Sequence, residues 1–295
     1  MKIAIYGHYF NRDAQQYVED LLNALNANNT DIYIEDNFNK LIKSSLDIKV
    51  DCKTFNSYKD LDSSFDLLFT VGGDGTLLRS IMYIQDSNIP VIGVNIGRLG
   101  FLATVKKEEI FEAVEALYKN EFNIKERTLL SVKTSPKIDE ISEINFALNE
   151  ITLSRKDSAS MITVETYLDD EYLTSYWADG LITSTPTGST GYSLSCGGPV
   201  ITPQAKSFVL TPVAPHNLNA RPLIIPDSTK IKMRITGRGD EFFMSLDSRI
   251  ATVNSETEIL IEKAPFTLKM IELKNHSFIK TLREKLLWGE DTRNK

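Results

Sequence analysis

Gly72-Gly73-Asp74-Gly75-Thr76 sets a single carboxylate inside a run of glycines. Without side chains, backbone N–H groups there can approach an anion closely. The apolar run from Asp66 to Val71 leads in, and Leu77, Leu78, Ile81 and Ile84 follow at helical spacing. The segment therefore reads as a strand-to-helix turn, with the positive end of the helix dipole directed at the same place. An aspartate in such a cradle repels phosphate unless it binds a metal ion or takes a proton from an attacking hydroxyl. The plainer alternative is a tight turn in which Asp74 only caps the helix; the glycine content favours the phosphate loop. Arg79, one turn on, reads equally as a phosphate contact or as a solvated helix arginine. No Gly-Lys-Ser/Thr follows, so this is not a Walker A loop, and it lacks the GxGxxG of a dinucleotide fingerprint.

Two more segments carry polar groups suited to a sugar or a base. Asn149-Glu150, at the start of the strand-like run Ile151–Leu153, offers an amide beside a carboxylate, a set that suits a vicinal diol. From Thr183 to Ser195 most side chains carry a hydroxyl, between apolar Leu181-Ile182 and the run Gly197 to Ile201. Those apolar ends argue for a packed loop whose small hydroxyls bond base edges and ribose oxygens, with Tyr192 stacking on the base. The three prolines of Thr211 to Pro222 predict a rigid loop rather than a strand, with His216 either bracing it or touching ligand. Cys52 and Cys196 are far apart and read as reduced thiols, with nothing near Cys196 to activate it. The histidines, His8, His216 and His276, are too scattered to mark a metal cluster.

Gly72 to Thr76 resembles the signature shared by NAD kinases, diacylglycerol and sphingosine kinases and, with serine last, phosphofructokinases. That likeness implies phosphoryl transfer to an alcohol, with Asp74 as the base. Ala178 to Pro199 closely resembles the long NAD-kinase motif DG...STPTGSTAYSLSAGGP, departing at Gly191 and Cys196, where alanine is commoner. Thr211 to Pro222 is similar to the TP...PHxLxxRP segment of the same family, and Leu246-Asp247-Ser248-Arg249 to its D-G/S-Q/R corner. The likeness continues to Thr281–Gly289. On these residues the chain resembles the NAD kinase family of bacterial type. The resemblance implies Asp74 as the catalytic residue, with Gly72, Gly73, Asp74, Gly75, Thr76 and Arg79 toward phosphate. It further implies Asn149, Glu150, Asp179, Thr190, Gly191, Tyr192, Ser193, Leu194, Ser195 and Arg249 toward NAD. ATP is then the donor, Mg²⁺ its divalent metal with no protein ligand assigned, and the 2′-hydroxyl of the adenosine ribose of NAD the acceptor, giving NADP. A homo-oligomer, dimer or tetramer, is also implied. Trp177 and Ser160 stand where many relatives carry a basic or histidine contact. A lipid kinase with the same loop and a non-catalytic nucleotide sensor are the alternatives; neither a polybasic run nor a basic amphipathic helix supports the first.

The elements that must position these groups fall into two patterns. Strand Ile3–Tyr6, helix residues Val18, Leu21, Leu22 and Leu25, strand 66–71, strand 90–94 and helix residues Ile110, Val114 and Leu117 alternate, predicting a three-layer, Rossmann-like α/β domain over 1–122. Leu129–Val132, Met161–Leu168, Ile231–Ile235 and Glu258–Ile261 are short and strand-like, predicting a mostly antiparallel β domain over 123–272. Residues 273–295 are expected to return to the first domain as a helix capped by Ser277. The net charge of −7 supplies no basic excess for a general nucleic-acid partner. Neither a signal peptide nor a membrane span is read, so a cytoplasmic location without membrane attachment is expected.

Overall fold

The computed structural model describes residues 1–46, 51–97, 99–156 and 160–287. The chain forms two units, Met1–Glu126 with the chain from Leu268 onward, and Arg127–Thr267.

Unit 1 opens with β1 (Lys2–Gly7), α1 (Gln15–Ala27), β2 (Asp31–Glu35), α2 (Asp36–Ser45) and β3 (Lys53–Phe55). It continues through β4 (Leu67–Gly72), α3 (Asp74–Ile84), β5 (Val91–Asn95), the short β6 (Val105–Lys106) and α4 (Ile110–Tyr118). The strands pair in parallel in the order β5-β4-β1-β2-β3, with Ile5 opposite Phe69 and Val71 opposite Val94. Side chains alternate across a strand. Ile3, Ile5, Leu67, Phe69 and Val71 thus share a core with Val18, Leu21, Leu22 and Leu25 of α1, Phe38 and Ile42 of α2, and Ile110, Val114 and Leu117 of α4. On the opposite face Tyr6 meets Tyr83 of α3, ring centroids 5.1 Å apart. The sheet is thus sandwiched between helices, the three-layer arrangement expected. Residues 31–55 add β2, α2 and β3, which periodicity does not single out, because α2 buries only Phe38, Asn39 and Ile42. Glu35 ends β2 nearly buried, its carboxylate accepting the Phe38 N–H at 2.9 Å and so capping α2.

Unit 2 is built from β7 (Phe122–Ser135), α5 (Asp139–Ser142), β8 (Phe146–Ala147), β9 (Glu150–Arg155), β10 (Ile162–Leu168), β11 (Glu171–Ala178) and β12 (Gly180–Ser184). After α6 (Tyr192–Ser195) come β13 (Ser207–Val213), β14 (Leu223–Pro226), β15 (Ile231–Gly237), β16 (Glu241–Leu246), β17 (Arg249–Asn254) and β18 (Glu258–Leu273). Antiparallel pairing gives one layer in the order β11-β10-β15-β18 and a second in the order β14-β13-β12-β9-β16-β17. Alternate residues of both layers, among them Val164, Met233 and Ile259 of the first and Leu153, Leu181, Leu210 and Met244 of the second, form one core.

The chain leaves unit 1 within β7, after Glu126, and returns within β18, at Leu268. Long strands carry the chain across, and no composition change marks the point. From Leu268 onward β18 runs parallel to β5, with Met270 opposite Val91, and leads to α7 (Phe278–Leu286), capped by the Ser277 hydroxyl. Trp288 and Gly289 of the C-terminal likeness lie outside the described residues. Thr211-Pro212-Val213, expected in a loop, ends β13. β14 pairs only with residues 207–210, so at Pro212 the strand has β12 on one side alone, an edge position where proline is tolerated.

Candidate active site

In unit 1 the glycine run lies where β4 passes into α3, and each glycine has its own task. A Cβ at Gly72 would overlap the Thr76 hydroxyl, so its absence lets the first turn of α3 fold back on the strand end. Gly73 is the N-cap, its carbonyl accepting the N–H of Thr76 at 3.0 Å and of Leu77 at 3.2 Å. Gly73 and Gly75 have no atom within 4 Å of where a Cβ would sit, so their backbone faces open space. A cavity of about 290 Å³ lies against this turn, lined by Tyr9, Phe10, Asn11, Gly72, Gly73, Thr76 and Asn95–Gly97 among others. These residues follow the carboxyl ends of β1, β4 and β5. The strand order reverses between β1 and β4, the switch point at which open α/β sheets bind ligands.

Asp74 is not simply a helix cap. Its carboxylate accepts the backbone N–H of Phe101 at 2.7 Å, Leu102 at 3.0 Å and Ala103 at 2.9 Å. Gly100 is required beside it, because a Cβ there would collide with the carboxylate. Asn95, nearly buried at the end of β5, accepts the Gly97 N–H at 2.8 Å and so ties the start of the same connection. Arg79 is not among the residues lining the cavity. Its charge acts instead on the phenol of Tyr6, which burial first, and then Glu35, push above the usual tyrosine range. Among the described residues no three His, Cys, Asp or Glu side chains are grouped to hold a metal ion.

In unit 2 most of the predicted residues lie at the start of β9 and in the loop that follows β12. Ser184, Thr185, Ser189 and Ser193 are fully buried, and their hydroxyls serve the loop itself. Thr185 Oγ1 donates to Leu148 O at 2.6 Å, Ser184 Oγ to Asn149 O at 3.2 Å, Ser189 Oγ to Pro186 O at 2.7 Å, and Ser193 Oγ pairs with Thr211 Oγ1 at 2.8 Å. Thr190 Oγ1 donates to Thr187 O at 3.1 Å. The expected display of hydroxyls toward a ligand is therefore largely turned inward, because a buried backbone turn needs those donors and acceptors itself. Gly188 packs so close to Asn149 that a Cβ would overlap its carbonyl, and a Cβ at Gly191 would lie 3.0 Å from Glu150 Oε2.

Among the described residues this packing leaves four buried side-chain oxygens without a hydrogen-bond partner, Thr152 Oγ1 of β9 and Thr183 Oγ1 of β12 among them. Asn149 Oδ1 and Glu150 Oε2 are both buried without a hydrogen-bond partner. Burial first, and the Asp247 carboxylate second, push the Glu150 carboxyl up to about 8, against a hydrogen bond from the Tyr192 N–H. The half-exposed ring of Tyr192 stands beside them, its phenol held up by burial, by Cys196, and by the charges of Asp179 and Glu150. Asp179 pairs with Arg155 at 3.0 Å. Cys196 is pushed up by burial, as befits an unactivated thiol. Leu194 and Ser195 complete α6. The Arg249 guanidinium donates to the carbonyls of Ile144 and Phe146. His216 braces the loop after β13: its N–H donates to Trp177 O at 2.8 Å, and its ring lies 5.3 Å from the indole.

Sequence reasoning did not find Tyr9–Asn11, Asn95–Gly97 or the Phe101–Ala103 amides. For Asn95 the signal exists: an apolar strand ending in a polar residue, with a glycine two places on.

Comparison with known proteins agrees with this construction. The ATP-NAD kinase N-terminal domain model matches residues 3–122 and the ATP-NAD kinase C-terminal domain model residues 148–273. An NAD kinase of Christiangramia forsetii is 56% identical over 294 residues, covering 100% of both chains. A crystal structure of an NAD kinase from Archaeoglobus fulgidus in complex with ATP superposes with a TM-score of 0.73 at 26% identity, covering 97% of each chain. The yeast NADH kinase complexed with NADH shares the fold, with a TM-score of 0.87 at 23% identity over 100% of this chain and 90% of its own. An α/β unit and an antiparallel β unit that match the two domains of this family define a kinase, a phosphotransferase. The chain belongs to the ATP-NAD kinase family.

Proposed function

We propose that this protein transfers the γ-phosphoryl group of ATP to the 2′-hydroxyl of the adenosine ribose of NAD, forming NADP. The observation that carries the choice of acceptor is the pair of buried, unpartnered oxygens, Asn149 Oδ1 and Glu150 Oε2. Unpaired acceptors in a buried site each cost about 1–3 kcal/mol. Hydroxyl and amino donors of an adenosine would offset that cost, and an acyl chain would not. The half-exposed Tyr192 ring supplies a stacking face next to them.

The triphosphate rests against Gly72 to Thr76, where Gly73 and Gly75 leave the backbone open. Asp74 takes the proton from the 2′-hydroxyl as it attacks the γ-phosphorus: the new O–P bond forms, the bond to the β-bridging oxygen breaks, and ADP leaves. Mg²⁺ enters as part of the triphosphate substrate. Positioning and charge neutralisation supply most of the acceleration. We further read the enzyme as cytoplasmic and homo-oligomeric. No helix among the described residues is long and apolar enough to cross a membrane.

The test is to incubate the full chain with NAD, ATP and Mg²⁺ and measure NADP. Formation of NADP, lost with Asp74→Asn, supports the reading. ATP consumption without NADP, or none at all, defeats it.

A further inference from the structure

The corner between β16 and β17 grips the segment that carries Asn149 and Glu150 from both ends. Asp247 sits in this two-residue turn with φ of 51°, the left-handed conformation that aspartate adopts more readily than most side chains in a hairpin. Its carboxylate accepts the N–H of Leu148 at 2.9 Å, Asn149 at 2.8 Å and Glu150 at 3.2 Å, while its own N–H donates to Glu150 O at 3.0 Å. Arg249, two residues on, holds the carbonyls of Ile144 and Phe146. One tight turn thus fixes six backbone groups between 144 and 150. It does so with a buried carboxylate, an expensive choice for a task that neutral groups can perform.

We propose that Asp247 is a positioning residue for the acceptor substrate: by clamping the 148–150 amides it holds Asn149 Oδ1 and Glu150 Oε2 unpaired and ready for the sugar. The inference rests on the reading of Asn149 and Glu150 as the acceptor contacts. A side chain bound to its own backbone neighbours would close on itself in the empty enzyme, and these two do not. The geometry also places a second carboxylate beside Glu150, whose other charged or titratable neighbours are Tyr192 and Cys196. The negative charge of Asp247 therefore helps keep Glu150 protonated near neutrality.

The experiment compares Asp247→Asn with the unsubstituted full chain. Asparagine keeps an oxygen for two of the three amides but opposes the third with an NH₂. The KM for NAD should rise roughly tenfold, the scale of one misaligned hydrogen bond to a charged group. The KM for ATP should stay within about twofold, since its contacts are not touched. The inflection in the pH profile of the NAD KM, near 8 in the unsubstituted chain from Glu150, should move to lower pH. An NAD KM that does not change, or NAD and ATP KM values rising together with an unmoved pH profile, overturns the proposal and leaves only a folding role. If Asp247→Asn does not fold, Asp247→Glu keeps the charge and displaces it by one methylene, and the same NAD-only effect is expected. A substitution-free measurement covers failure of both: the amides of 148–150 should exchange slowly in the empty enzyme and slow further with NAD, and rapid exchange in the empty enzyme refutes the clamp. Failure of the underlying functional reading looks different, because the unsubstituted chain would then make no NADP and bind no NAD in calorimetry.

Discussion

The Asp74 carboxylate accepts the Phe101 amide hydrogen at 2.7 Å. The side chain that we assign to proton abstraction therefore also shapes the turn after β5, and substitution there has two separable consequences. Asp74→Asn places an NH₂ group among three N–H donors, which should cost about 1–3 kcal/mol of stability. Loss of the base should lower kcat by a further factor of about 10²–10⁴. Denaturation at a temperature where the variant is fully folded, alongside NADP formation, separates the two. A folded variant turning over at the normal rate removes Asp74 from the chemistry.

The three glycines of the loop should respond differently to a methyl group. Gly72→Ala collides with Thr76 and should lower stability outright, measured as a drop in the urea midpoint. Gly75→Ala meets no atom and should fold as well as the parent or better, by up to about 1 kcal/mol in a helix first turn. Its methyl would nonetheless stand in the path of the triphosphate, so the KM for ATP should rise several-fold at least. An unchanged ATP KM in Gly75→Ala would show that phosphate does not rest there.

Glu150 predicts a pH dependence of stability with a definite sign. In the folded, ligand-free chain its carboxyl keeps its proton up to about 8, while in the unfolded chain it releases it near 4.5. Between these values unfolding releases a proton, so raising the pH favours the unfolded state. The ligand-free enzyme should lose stability from about pH 4.5 to about 8, by a few kcal/mol at most, with no further loss from this group above that range. Glu150→Gln should flatten the curve and be the more stable chain at pH 8, while binding NAD more weakly. An equal change in unfolding free energy between pH 5 and pH 8 for the two chains, measured by urea titration, would contradict this.

Tyr192→Ala should raise the KM for NAD and leave that for ATP alone, because the ring is half-exposed and its removal leaves the Glu150–Tyr192 backbone bond in place. A stacked base is worth about 1–3 kcal/mol. Steady-state kinetics with each substrate varied in turn decides it.

Ser277→Ala removes the acceptor for the Lys280 N–H, a 3.2 Å bond at the start of α7. The loss should be about 1 kcal/mol, seen in the denaturation midpoint. Turnover should be unaffected.

Residue order alone placed the groups that act locally. A glycine run between an apolar strand and an apolar-periodic helix can hardly be anything but a turn that exposes amides, and Asp74 lies in it by covalent connection. The same holds for Asn149-Glu150 at the head of β9, and for the two-pattern architecture, since alternation and helical spacing are properties of neighbours along the chain. Tertiary structure decided where each polar atom spends its hydrogen bonds. Asp74 reaches amides 27–29 residues away and Asp247 amides 97–99 residues away. The hydroxyls of Ser184, Thr185, Ser189 and Ser193 face inward, and the Arg249 guanidinium holds the carbonyls of Ile144 and Phe146. The reason is physical: a buried backbone group must be satisfied by whatever the topology brings beside it. That neighbour is chosen by strand order and loop closure, which no local run of residue types encodes.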